Sequence, residues 1–160
     1  MSLATALVAC SNSGNSGTTK SAFQHISIAD NGDVIAHATD GSGARITAAG
    51  DLDILGKNIS VTPAQRALLQ GYHADAARLR KDAIATGTAG VETGMHALDA
   101  VAKGLASGNA DSIDSEVNSR ADKIDVLARA VCQDLARLYA DQGQVTTAIP
   151  AFSPYATIEP

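Results

Sequence analysis

The chain has 160 residues, which leaves room for one domain with a real core. A net charge of −5, with twelve Lys and Arg that form no extended basic block, argues against the basic footprint of a nucleic-acid binder. The absence of Trp, with only two Phe and three Tyr, leaves stacking platforms for bases or sugars poorly supplied, and no apolar run reaches the ~20 residues that cross a bilayer.

In chain order, the first informative stretch is Leu7-Val8-Ala9-Cys10, an apolar run ending on small residues and a cysteine. An uncharged stretch of Ser, Asn, Gly and Thr follows from Ser11 to Thr19. The pattern resembles the lipobox of bacterial lipoproteins. That resemblance implies a diacylglyceryl group on Cys10 and a periplasmic location, lipid-anchored to a bacterial membrane. No Lys or Arg precedes Cys10, and Leu3 to Ala9 barely reaches the ~7–15 residues of a signal segment. Residues 1–9 therefore read as the remnant of a targeting segment; the alternative is a plain N-terminus with an incidental cysteine. Residues 10–22 read as anchor and tether, too polar to order themselves. As a coil they would hold the body some tens of ångströms from a membrane, roughly 5–6 Å times the square root of the residue count.

Residues 23–61 carry short β-rich runs spaced by Gly, Asn and Asp turns, such as Asp30-Asn31-Gly32, Asp40-Gly41 and Gly50-Asp51. They predict an antiparallel meander, with Ile26 and Ile28 on one face, Ile46 beside Ala44, and Leu52 beside Ile54. Thr62-Pro63-Ala64-Gln65 marks a switch. Thr62 suits an N-cap, Pro63 the first helical position, and Gln65 completes a capping box.

A helical stripe then runs through Leu68, Tyr72, Ala76, Leu79 and Ala83, and onward through Gly90, Gly94, Leu98, Val101 and Leu105. Two Gly and two Thr between Thr86 and Gly90 raise the prospect of a kink or break in a helix over 63–106. Ser107 to Asp111 interrupts it. A second helix follows, with apolar positions Ile113, Val117, Ala121, Ile124, Ala128, Val131, Leu135 and Leu138, and with Asp122, Asp125, Arg129 and Asp141 on the opposite face. The short connection predicts an antiparallel hairpin.

The expected fold is therefore α+β: a short N-terminal antiparallel β-meander over 23–61 and a long antiparallel helical hairpin over 62–142, in one domain spanning 23–142. Residues 143–160, with Pro150, Pro154 and Pro160, read as an extended tail pinned by Phe152 and Tyr155. Two helices alone enclose no core, so the sheet covers them, the first helix folds back, or a second molecule docks; sheet cover ranks first.

No reactive constellation stands out. Gly90 and Gly94 form a small-xxx-small pair, read as close helix packing or, alternatively, as a self-association face that makes an oligomer. His25, His37, His73 and His96 lack helical zinc spacing and there is no CxxC, so neither metal nor cofactor is expected. Cys132, beside Val131, reads as a buried structural thiol. Ser, His and Asp are present without a nucleophile-elbow motif.

The segment Gly50-Asp51-Leu52-Asp53-Ile54-Leu55-Gly56-Lys57-Asn58-Ile59-Ser60-Val61-Thr62-Pro63-Ala64-Gln65-Arg66-Ala67-Leu68-Leu69, lying between a β segment and Ala-rich helices, resembles the YggN-like family of uncharacterised proteobacterial periplasmic and lipoprotein envelope proteins. The resemblance implies an envelope location and brings no catalytic residues. The leading expectation is a non-enzymatic, membrane-tethered binding or structural module, attached through its N-terminal lipid and facing an envelope protein partner, with no nucleic acid. A carrier of lipid or hydrophobic ligand is the alternative, and an envelope hydrolase the third.

Overall fold

Gly32, Gly41 and Gly50 fall nine residues apart, and each closes the same hairpin turn. In the first, Ala29 N–H donates to Asp33 O at 2.9 Å and Gly32 N–H to Ala29 O at 2.9 Å. Ala38, Gly41 and Ser42 repeat the pattern, as do Thr47, Gly50 and Asp51. All three glycines are left-handed, with φ of 88°, 84° and 79°, the conformation a three-residue hairpin loop requires at its last position.

The computed structural model describes residues 25–107 and 111–159. The turns link β1 (Ile26–Ile28), β2 (Val34–His37), β3 (Gly43–Ile46) and β4 (Leu52–Ile54), and a two-residue turn leads to β5 (Lys57–Ile59). The sheet is an antiparallel meander in sequence order. Its register aligns Ile28, Val34, Ile46, Leu52 and Ile59 across the strands, with Ile26, Ala36, Ala44, Ile54 and Lys57 in the next row on the same side. Of these, Val34, Ala36, Ala44, Ile46 and Leu52 are wholly buried, so the alternation read from the sequence is the face that packs.

Two helices follow, α1 (Pro63–Ser107) and α2 (Asp111–Ala148), making the fold α+β with a helical hairpin. The capping box at the start of α1 forms as its spacing predicts. Thr62 N–H donates to Gln65 Oε1 at 2.8 Å, and Gln65 N–H to Thr62 Oγ1 at 3.3 Å. The helix runs unbroken through Thr86–Gly90, where the Thr86 hydroxyl donates to Asp82 O at 2.7 Å and is absorbed by the helix itself.

One boundary differs from expectation. Residues 143–148 are helical, because Val145 and Ile149 continue the buried stripe of Leu135, Leu138 and Gln142. The Thr146 and Thr147 hydroxyls donate back to Gln142 O and Gly143 O. A 3-10 helix, Pro150–Tyr155, replaces the expected extended chain after that. It buries Phe152 and Tyr155 as anticipated. Phe152 stands edge-on to Tyr72, with ring centroids 5.6 Å apart. The Gln142 amide then brackets Ile158, donating to its carbonyl at 2.9 Å and accepting from its N–H at 3.0 Å.

The described chain forms two compact units. One comprises residues 25–79 with 133–159: the sheet, the first turns of α1, the last turns of α2 and the tail. The other is the helical segment 80–132.

In the first unit the β3–β4 turn docks on α1. Arg66 Nη1 donates to Ala49 O at 3.3 Å and pairs with Asp51, while Gln70 Nε2 donates to Ala49 O at 3.0 Å. A Cβ at Gly50 would lie 2.5 Å from Arg66 O, so glycine is required there by both φ and space. Gly50→Ala is expected to cost about 2–5 kcal/mol, combining left-handed strain with displacement of the α1 backbone. Urea unfolding checks this, with Gly41→Ala, where nothing lies within 4 Å, as the strain-only reference.

Candidate functional site

Helical spacing sets Tyr72 and Asp75 on one side of α1, and Leu138 and Asp141 on one side of α2. Tyr72 and Leu138 are wholly buried. Each carboxylate follows its buried neighbour by three residues, so both are drawn to the margin of the core. The two carboxyl groups come close enough that Asp75 acts on the ionisation of Asp141. Asp75 Oδ1 also accepts from Arg78 Nη1 at 2.8 Å, and its side chain is only 17% exposed. Asp141 Oδ2 lies above Gly71, 3.8 Å from where a Cβ would stand.

The electrostatics follow from that placement. Burial, then the charge of Asp75, then the shared hydrogen bond raise the Asp141 pKa to about 6. Burial, helped by the negative charge of Asp141, pushes the Tyr72 hydroxyl well above the ordinary phenol range. That hydroxyl is buried and has no hydrogen-bond partner among the described residues. The cluster thus sets a carboxyl that favours its protonated form near a phenol that stays neutral. Arg78 secures the side of Asp75 that faces along α1.

A second polar group lies on the outer side of the sheet. Ser27 Oγ and His37 Nε2 stand 2.8 Å apart on β1 and β2. Arg45 on β3 reaches Asp33 at 3.6 Å and Asp53 at 3.3 Å. Asp33 is itself held by the Asn31 amide at 2.8 Å, so its charge is partnered twice. The Ser27 and His37 side chains resemble half of a nucleophile–base arrangement. A base-orienting carboxylate on His37, the third member of such an arrangement, is not among its hydrogen bonds in the described residues.

Of the residues singled out from the sequence, Cys10 lies outside the described residues. Gly90 and Gly94 fall within α1, in the helical unit, and the packing and self-association readings of them fall outside what the structure describes. Cys132 is a free thiol on α2 and half-buried, where full burial was expected. Among the described residues no three metal-ligating side chains converge, and no helix is long and apolar enough to cross a membrane.

The Asp75–Asp141 pair was missed. Asp141 reads from the sequence as part of the polar face of α2, and only the crossing of the helices brings it to Asp75. No known protein family, curated protein or solved structure matches the chain.

Two outcomes follow from the cluster. Folding raises the Asp141 pKa above that of the free side chain, so its protonated form favours the folded state. The benefit is complete below about pH 4 and is lost as pH climbs through about 6. A shift of about two units is worth about 3 kcal/mol in a sheltered group, and about 1 kcal/mol after screening at this half-exposed position. Asp141→Asn is therefore expected to be about 1 kcal/mol more stable than the parent above pH 6 and to show a flatter stability profile between pH 4 and 7, read by urea unfolding across that range. Tyr72→Phe removes a buried hydroxyl without a partner. It is expected to change stability by no more than about 1 kcal/mol, in the favourable direction, in the same assay.

Proposed function

We propose that this chain is a membrane-tethered bacterial envelope protein that acts as a non-enzymatic binding or structural module, related to the YggN-like envelope proteins. The observation that carries the reading is Leu7-Val8-Ala9-Cys10 followed by the uncharged run to Thr19, the arrangement of a lipid-attachment cysteine and its spacer. A cysteine acylated in this way holds its protein at a membrane surface, outside the cytoplasm.

The body supports the binding half of the reading. Large apolar side chains stand in water on the helices of the second unit: Ile84 is 58% exposed, Met95 68% and Val126 67%. Side chains of this kind on amphipathic helices are the contacts a partner protein covers. Their neighbours carry paired charge, as in Arg129–Asp125 one turn apart, which suits a polar rim around such a contact.

The test is mass spectrometry of the full-length gene product from its native host. The expected mature species begins at Cys10 and carries a thioether-linked diacylglyceryl group. A species that retains residues 1–9 with a bare Cys10 thiol overturns the anchor. Turnover of an ester or peptide substrate that is abolished by His37→Ala would replace the binding module with an enzyme built on the Ser27–His37 pair.

A further inference from the structure

The turn between β4 and β5 breaks two local rules at one residue. Leu55 has φ of 52°, and among the described residues it alone is left-handed without being glycine. It is also 70% exposed, the highest value among the large hydrophobic side chains described. A two-residue hairpin turn with positive φ at both positions is the setting in which Asn or Asp precedes Gly, because those side chains tolerate the left-handed region and water together. Leu55-Gly56 places there a side chain that suffers from both. An exposed leucine alone means little; one held in a strained turn, where Asn would relieve both costs, points to a task for the side chain.

The register shows what it faces. One step beyond the row of Ile26, Ala36, Ala44, Ile54 and Lys57 come His25, His37, Gly43 and Leu55. The chain therefore enters β1 from the tether at the same end of the sheet that carries Leu55. The turns at the other end are committed to α1: His73 Nε2 bonds Gly32 O at 2.9 Å, and Arg66 and Gln70 hold Ala49 O. Residues N-terminal to β1, Cys10 among them, thus join the sheet at its Leu55 end.

We propose that Leu55 at this tip is a lipid contact, entering the interfacial region of the membrane to which the tether is anchored. The inference rests on the lipid-anchor reading above. Exposed Lys57, directly after the turn, offers an ammonium on a flexible stem to anionic headgroups. Asp40, on the neighbouring tip, keeps its charge on the Ser42 hydroxyl and N–H, and so stays at the level of water. One leucine binds a bilayer weakly. A short tether makes that contact intramolecular, and a weak contact at high effective concentration sets how the body sits.

The chain has no Trp, so a single Trp reports cleanly. The full-length protein carrying Cys132→Ser is coupled through Cys10 to vesicles of phosphatidylethanolamine and phosphatidylglycerol containing maleimide lipid. Coupling bypasses native acylation, so failure here is distinct from failure of the anchor reading. With Leu55→Trp, emission is expected to shift to the blue on coupling and to be quenched by brominated acyl chains. With Asn31→Trp, at the opposite end of the sheet, neither is expected. Equal behaviour of the two probes overturns the proposal, as does absence of quenching at position 55. A concentration-dependent blue shift at position 55 without vesicles also overturns it, because it assigns the tip to a second copy of the chain. Leu55→Asn keeps the test independent of the probe. It is expected to raise Tm by about 2–4 °C, the shift for relief of one left-handed side chain in a protein of this size, while the coupled body shows more rotational freedom. A lower Tm shows that Leu55 serves the fold and overturns the proposal.

Discussion

The close approach of Gly50 to the backbone of Arg66 is the constraint on which the first unit is built. There is no room for a side chain between the β3–β4 turn and α1, so the sheet is fixed at backbone distance, not through a cushion of side chains. Arg66 and Gln70 then hold the turn by its Ala49 carbonyl. One residue before Arg66, Gln65 ties the start of α1 to the end of α2 by donating to Ala148 O at 2.6 Å. The first two turns of α1 thus set both the sheet and the return helix. This suits a core rich in alanine. Where apolar area per residue is small, dispersion and burial alone leave several arrangements close in energy, and directional polar contacts at fixed points choose among them.

That constraint makes the sheet asymmetric. Two of its turns are bonded to α1, while the Leu55 tip is bonded to nothing beyond its own hairpin in the described structure. On the outer side, Arg45 between Asp33 and Asp53, with Ser27 on His37, makes a solvated face of cross-strand pairs. A meander so short is not stable by itself and depends on the helices beneath it. At the Leu55 end the tail holds β2 instead, with Thr157 Oγ1 donating to His37 O at 3.0 Å, and it is the β4–β5 tip that stands clear.

Much of this was legible because it is local. The Thr62–Gln65 box, the Asn/Asp-Gly turns and the apolar alternation of Ile26, Ala44, Ile46 and Leu52 each follow from residues within a few positions of one another. The nine-residue spacing of Gly32, Gly41 and Gly50 was equally available and announces three copies of one turn. At the last turn, Gly56-Lys57 looks like the turn in sequence, whereas Leu55-Gly56 forms it and Lys57 opens β5. Gly143 and the Thr146-Thr147 pair look like a helix end, yet the stripe from Leu138 to Ile149 carries α2 past them. The Asp75–Asp141 pair was out of reach. It joins residues 66 positions apart, and each has a satisfactory local reading, Asp75 with Arg78 and Asp141 on a polar helix face.

That pair and Leu55 are two places where the described chain accepts a cost that a single residue change would remove. They differ in kind. The cost at Asp141, whose charge is felt by buried Tyr72 and opposed by Asp75, varies with proton concentration and falls as its carboxyl takes up a proton. Leu55 is strained at every pH, and no contact within the described structure offsets it. An internal cost with an internal remedy can persist as part of a fold. A constant cost at a solvent-facing tip, with no remedy inside the molecule, is more naturally offset by a surface outside it. β1 begins at that same end of the sheet, so under the proposed anchoring a membrane is one surface that could meet this tip.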